Sequence, residues 1–409
     1  MPDRSVDFLL IGGGIACARC AQTLRREGAG GSILVVGREA DPPYARPPLS
    51  KEYLAGTMGK DEVQSVEGGW WEENGVELLT RTSVMKLDTG ERVAKLSTRE
   101  EVGFGQALVA TGANVRRLRA DGGDLDGIHY LRSYGNSDAI RAEAERGGRA
   151  VLIGGSYIGS EVAATLTTLG VECTILMQED VCFSPQFGDE VGGFLQGLLE
   201  SHGIRAFGGD SLERYEGSGE RVERVVSRRG LELECDFVVV GVGVTPDTML
   251  ARGAGLELGE DGGVACDSRL ETSVPGVYAA GDVCEYDSPL HGHPVRIEHW
   301  DVAAEHGKTA ARNMLGADVP HDVVPYFWSE LADWAKLEYV GAGSGDRQVI
   351  RGSLDDGEFT AFSLDGDRVV AAVTVGRPED LMHARRWIAE RATPDPAALA
   401  DTRMELEGL

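Results

Sequence analysis

Short, unbroken apolar blocks recur along the chain, each closed by glycine or proline. The first, VDFLLI (6–11), runs into three glycines, then into apolar residues at helical spacing, then into ILVV (33–36). Blocks this short and uniform predict parallel strands covered on both faces, so 6–39 reads as strand, glycine turn, helix, strand. The same order returns in RAVLIGGSYIGSEVAATLTTLGVECTILMQED (149–180). LVATGA (108–113), FVVVGVGVTPD (237–247) and VYAAGD (277–282) predict further buried strands that end in loops. From about residue 323 the pattern changes to alternation. FTAFSLDGDRVVAAVTV (359–375) predicts a hairpin turning at Asp365-Gly366, and PEDLMHARRWIAERA (378–392) an amphipathic helix.

The two glycine turns carry the first chemistry. Gly12, Gly14 and Cys17 fill the three slots of G-x-G-x-x-G. The first slot makes the tight turn, the second lets a pyrophosphate approach the backbone and helix N-terminus, and the third needs only a small residue. Gly154, Ser156 and Gly159 fill the same slots in the second unit. One such fingerprint is weak, but two in one chain predict two bound dinucleotides, a flavin and a nicotinamide nucleotide. Asp282 closes the VYAAGD strand at its carboxyl end, where it can accept from a sugar hydroxyl.

Composition removes several alternatives. At 409 residues the chain exceeds a single core, and 42% hydrophobic with 26% charged residues is ordinary for a globular protein. A net charge of −27 argues against nucleic acid and against an anionic membrane surface as partners. No apolar run is long enough to span a membrane, and the N-terminus enters a strand directly; the expected location is cytoplasmic. Seven scattered cysteines fit a reducing compartment rather than a disulfide framework. The lone C-x-x-C, Cys17 to Cys20, lies with Leu24 on one helical face and reads as core packing. His291 and His293 have no further ligands in the pattern, so no metal is assigned.

Residues 41–56, DPPYARPPLSKEYLAG, hold Pro42, Pro43, Pro47 and Pro48, followed by Lys51. Each proline fixes φ and restrains its predecessor, so the segment is stiff and presents the lysine in one place. Together with GGGIAC, ATGA, GGSYIGSEVAA, YAAGD, RIEHWDVAAEHGKTAARNMLG and PYFWS, this segment resembles the FAD-dependent ferredoxin and rubredoxin reductases. These are flavoproteins of the pyridine nucleotide-disulfide oxidoreductase superfamily; apoptosis-inducing-factor-like relatives share GGSYIGSEVAA and EHWD. The resemblance covers essentially the whole chain.

It implies an α/β fold with two Rossmann-like, glutathione-reductase-like dinucleotide domains and a small α+β C-terminal domain. The expected boundaries are 1–118 with 247–322 for FAD, 119–246 for NAD(H), and 323–409 for the last domain. For FAD it implies Gly12, Gly14, Cys17, Glu39, Arg46, Lys51, Val84, Thr111, Gly112, Arg132, Asp282, Glu298, His299, Trp300 and Trp328. For NAD it implies Gly154, Ser156, Tyr157, Ile158, Gly159, Glu161, Glu179 and Gly243. Lys51 corresponds to a lysine near flavin N5, with Glu161 its carboxylate partner; these two are the expected catalytic pair. The helix opening near Asp301 would aim its N-terminus at the flavin pyrimidine carbonyl, where negative charge develops on reduction.

Two departures stand out. Arg38 occupies the usual place of the acid for the FAD ribose, with Glu39 next. Met177 replaces the acid for the NAD ribose, followed by Glu179 and Asp180 without an adjacent arginine, which favours NADH over NADPH. Residues 41–56 lack the redox cysteine pair of the disulfide reductases, and 119–246 contain no C-x-x-C. Electrons would then leave the flavin directly for a ferredoxin or rubredoxin of an oxygenase or P450 system. An NADH oxidase or quinone reductase, and an apoptosis-inducing-factor-like NADH-sensing flavoprotein that could form a homodimer, are the alternatives. The candidates for docking an acidic carrier are 116-RRLR-119 and Arg385, Arg386 and Arg391.

Overall fold

The structure is a computed structural model and describes residues 1–343 and 345–409. It divides into two compact units. The first comprises Met1–Arg46, Lys60–Asn114 and Thr245–Pro325; the second comprises Pro47–Gly59, Val115–Val244 and Tyr326–Leu409.

In the first unit the apolar blocks form one sheet. Its strands run in the order Val76–Leu79, Ile33–Val36, Arg4–Ile11, Glu101–Val109, Val93–Leu96 and Val84–Asp88, and Val277–Ala279 also pairs with Glu101–Val109. The pairings from Val76–Leu79 to Glu101–Val109, and that of Val277–Ala279, are parallel. Helices Ile15–Arg26 and Trp300–Met314 cover it and are in contact. Cys17, Cys20 and Leu24 are fully buried along one face of the first helix, as their spacing predicts. Burial pushes both thiols far above their ordinary pKa, leaving them inert.

The second unit has its own five-stranded parallel sheet, in the order Arg205–Phe207, Glu172–Leu176, Arg149–Ile153, Phe237–Val240 and Ile128–Tyr130. Helix Tyr157–Thr168 follows its glycine turn. The alternating tail forms a five-stranded antiparallel sheet, from Tyr326–Leu331 to Arg368–Val375, with helix Asp380–Glu390 against it. Its hairpin turns at Gly366, where Asp365 pairs with Arg368.

The proline segment is anchored within this second unit. The Ser137 hydroxyl donates to the Leu49 carbonyl at 2.8 Å, and the Thr165 hydroxyl to the Ser50 carbonyl at 2.8 Å. Tyr53 donates to Asp138 at 2.9 Å while the Arg141 guanidinium caps its ring. These contacts explain why 47–59 groups with the middle of the chain. Among the described residues no helix is long and apolar enough to cross a membrane.

Candidate cofactor and redox sites

In the first unit, strand Arg4–Ile11 ends at a turn whose glycines have different duties. Gly12 has φ 149°, and a Cβ there would stand 2.1 Å from the Ala110 carbonyl oxygen, so the fold itself demands glycine. Gly14, the N-cap of helix Ile15–Arg26, is the opposite case. A Cβ on it would meet nothing within 4 Å. The protein leaves room beside the helix N-terminus that its own packing does not need, which fits the approach of a pyrophosphate. Thr111 and Gly112 form the next loop, where the Thr111 hydroxyl donates to the Asp247 carbonyl at 2.7 Å and Gly112 takes φ 71°. Asp282 follows Gly281, which has φ 75°, at the end of strand Val277–Ala279.

Glu39 and Arg46 are joined by a 2.5 Å ion pair, and the Tyr44 hydroxyl donates to the other Glu39 oxygen at 2.5 Å. Burial works against the Glu39 charge, yet Arg46 and Tyr44 outweigh it and hold the carboxyl below its ordinary range. Glu39 is therefore already engaged, and Arg46 is fixed with it. Arg38 turns away to Asp247 and Asn114, each at 2.8 Å. His299 caps helix Trp300–Met314, and burial lowers its pKa to about 4 despite the nearby Asp282 charge. Glu298 pairs with Arg296 at 2.6 Å, Trp300 is half-buried against the first-unit core, and Val84 opens strand Val84–Asp88 on the same core.

The second unit holds the remaining residues. Gly154 has φ 108°, and a Cβ would meet the Gly241 carbonyl oxygen at 2.4 Å. At Gly159 it would stand 2.0 Å from the Gly154 oxygen, so both glycines are steric requirements. Ser156 is the helix N-cap but makes no side-chain cap bond, which leaves its hydroxyl available to a ligand. Ile158 is exposed beside the turn, Gly243 has φ 88° with open space around it, and Tyr157 packs against Phe183, Phe187 and Phe327. Met177 is buried, and a Cβ on Gly155 would overlap its sulfur at 2.1 Å. An apolar side chain thus fills the position usual for the ribose acid, leaving half-buried Glu179 as the nearest carboxylate in sequence. The fold also brings in an arginine that sequence proximity did not reveal. The Arg229 guanidinium donates to the Gly209 carbonyl at 3.2 Å, close to Asp180.

Lys51 and Glu161 are brought together as expected. Their charges meet at 3.2 Å with both side chains more than nine-tenths buried. Sequence reading missed what completes this pair. The Ser50 hydroxyl donates to one Glu161 oxygen at 2.5 Å, and the Ser329 hydroxyl to the other at 2.6 Å. Both serines lie in dense motifs, PPLSK and PYFWS, beside the lysine and the tryptophan. Lys51 also donates to the Pro47 carbonyl at 3.2 Å, so the proline turn itself holds the ammonium. A buried ion pair is tolerable only when its remaining lone pairs and protons are satisfied, as here. Glu330, next to Ser329, has its pKa raised by burial despite the Lys51 charge. Trp328 stacks near Tyr326, with ring centroids 6.0 Å apart, and Arg132 lies half-buried just before helix Tyr134–Ala144. Among the described residues no group of three or more His, Cys, Asp or Glu could hold a metal.

The class defined by these two dinucleotide turns is confirmed by comparison with known proteins. Residues 6–307 match the family model for the pyridine nucleotide-disulphide oxidoreductases, and 326–409 match the reductase C-terminal domain. The chain belongs to the pyridine nucleotide-disulphide oxidoreductase family and is an oxidoreductase that uses FAD and NAD(H).

Its curated relatives include reductase components of oxygenase systems. The chain is 35% identical to the ferredoxin–NAD(+) reductase component of the anthranilate 1,2-dioxygenase system of Burkholderia cepacia, covering 98% of both chains. It is 30% identical to rhodocoxin reductase of Rhodococcus erythropolis, over 98% of this chain and 94% of that one. Among solved structures, putidaredoxin reductase in covalent complex with putidaredoxin matches with TM-score 0.93 and 30% identity, over 98% of this chain and 97% of that one. The ferredoxin reductase for the CYP199A2 system of Rhodopseudomonas palustris matches with TM-score 0.94 and 30% identity, over 98% and 99%.

Proposed function

We propose that this chain takes a hydride from NADH and delivers the two electrons, one at a time, to a small iron–sulfur ferredoxin serving an oxygenase. The observation that carries this reading is the content of the proline segment. It presents Lys51, paired with buried Glu161, where disulfide reductases of the superfamily place a redox cysteine pair. All seven cysteines are buried, and C-x-x-C occurs only on the inert face of helix Ile15–Arg26. With no protein dithiol to receive them, the electrons leave for an external acceptor. FAD supplies the conversion between two-electron and one-electron chemistry.

The residues divide the remaining work. Gly12, Gly14 and Asp282 hold FAD by its pyrophosphate and sugar, with Arg46 as a fixed cation. Gly154, Ser156 and Gly159 hold the NAD pyrophosphate at the second helix N-terminus. Lys51 is assigned to the flavin ring, where a cation favours the electron-rich reduced form. The domain boundaries 1–118 with 247–322, 119–246 and 323–409 belong to this proposal, as does a cytoplasmic location, which the scattered free cysteines favour.

Glu179, two residues after buried Met177, favours NADH by at least tenfold in kcat/KM, roughly 1.4 kcal/mol of transition-state discrimination, with the nearby Arg229 guanidinium engaged by the Gly209 carbonyl. The FAD-loaded protein should reduce a [2Fe–2S] ferredoxin with NADH much faster than it reduces oxygen or a quinone. Turnover with oxygen or quinone that equals or exceeds the ferredoxin rate would replace this reading with an NADH oxidase. A preference for NADPH would overturn the cofactor assignment alone.

A further inference from the structure

Helix Trp300–Met314 carries a histidine whose position none of the foregoing uses. His306 is wholly buried in the first unit, and its Nδ1 accepts the backbone N–H of Gly281 at 3.2 Å. An imidazole that accepts through Nδ1 carries its proton on Nε2 and is neutral. Burial, reinforced by His321, pushes its pKa well below the ordinary histidine range, consistent with that state. The ring is held on its faces and edges. Tyr286 meets it edge-on with centroids 4.9 Å apart, and His321 at 4.5 Å. His321 is itself fixed by a 3.0 Å bond between its Nδ1 and the Thr309 hydroxyl of the same helix.

The residue that His306 holds is informative. Gly281 is buried, takes φ 75°, and immediately precedes Asp282. A turn residue at positive φ would ordinarily leave its buried N–H to another backbone group; here a side chain supplies the acceptor. The next residue on the helix, Gly307, is pinned elsewhere. A Cβ on it would stand 2.2 Å from the Ala16 carbonyl oxygen and 3.1 Å from the Cys20 nitrogen, so the two helices touch backbone to backbone. Consecutive residues of one helix therefore reach the turn that bears Asp282 and the helix that opens at Gly14.

We infer that His306 is a positioning residue for FAD, fixing through the Gly281 N–H the turn that aims Asp282 at the dinucleotide sugar, in register with the Gly14 helix. The inference rests on the FAD assignment above. Leucine and asparagine are nearly isosteric, but only asparagine places an acceptor where Nδ1 now lies. His306→Leu and His306→Asn thus separate the hydrogen bond from packing.

The test strips FAD from wild type and both variants and measures its rebinding by flavin fluorescence, with NADH binding as a control. His306→Leu should weaken FAD at least tenfold, His306→Asn should stay within about threefold of wild type, and NADH affinity should not change. Equal FAD affinities in the two variants, whether both weak or both strong, would overturn the positioning role. If His306→Leu does not fold, His306→Val, which also fills the site without an acceptor, serves in its place, with the same two outcomes. A wild-type protein that binds no FAD would instead refute the cofactor assignment, a failure distinct from either.

Discussion

Glu161 receives three partners at once: Lys51, Ser50 and Ser329. Removing the ammonium while keeping its volume, as in Lys51→Met, strands a buried carboxylate with only neutral donors. We expect FAD still to bind and flavin reduction by NADH to slow by an amount equivalent to about 1–3 kcal/mol, the scale of an unpaired buried group. Stopped-flow bleaching of the flavin measures it, and an unchanged rate together with an unchanged potential would assign the proline segment another purpose. The lysine and glutamate were legible because each lies in a dense motif. The serines were not, because their role depends on which residues the fold brings to Glu161 from 111 and 168 positions away. Arg229 escaped notice for the same reason. Its proximity to Asp180 is made by a hairpin, not by the chain.

At the level of elements, short apolar blocks marked the parallel strands well, since a doubly covered strand leaves no other pattern. The last helix shows where pattern falls short. Arg385 and Arg386 looked equivalent as docking cations, but Asp380–Glu390 separates their tasks. Arg385 is exposed, with its guanidinium over the Tyr326 ring at 5.7 Å. Arg386 is half-buried and donates to the Leu409 carbonyl at 2.9 Å, beside the Trp387 indole bond to the same oxygen at 3.0 Å. It anchors the C-terminal tail. Arg385→Glu should therefore slow ferredoxin reduction at low salt while leaving ferricyanide reduction and melting temperature unchanged. Arg386→Glu should lower the melting temperature, by a few degrees for a loss near 1 kcal/mol. A normal melting temperature in Arg386→Glu would show that the tail contacts are dispensable.

The whole molecule adds two properties that no single element carries. Three buried histidines of the first unit, His299, His306 and His321, are neutral, with His299 and His321 lowered to about 4. For such a group the unfolded chain binds the proton first as pH falls below about 6.5, so stability rises with pH across the window between about 4 and 6.5. Melting temperature should fall steeply from pH 6.5 to pH 4.5, and a flat profile would contradict the burial of these rings. Net charge is the second property. At −27 the chain repels an acidic carrier at long range, so a local basic patch must dominate encounter. Ferredoxin reduction should then fall as salt rises from low to physiological strength; a rise would mean that global repulsion governs it.

The destination of the electrons decides between a ferredoxin reductase and an oxidase. The direct measurement is anaerobic: FAD-loaded protein is bleached with one equivalent of NADH, then mixed with two equivalents of oxidised [2Fe–2S] ferredoxin in a stopped-flow spectrometer. We predict that the yellow absorbance returns as the ferredoxin bleaches, with two ferredoxins reduced per NADH and a rate that exceeds reoxidation by dissolved oxygen measured separately. A flavin that bleaches with NADH but stays reduced in the presence of ferredoxin would contradict the account.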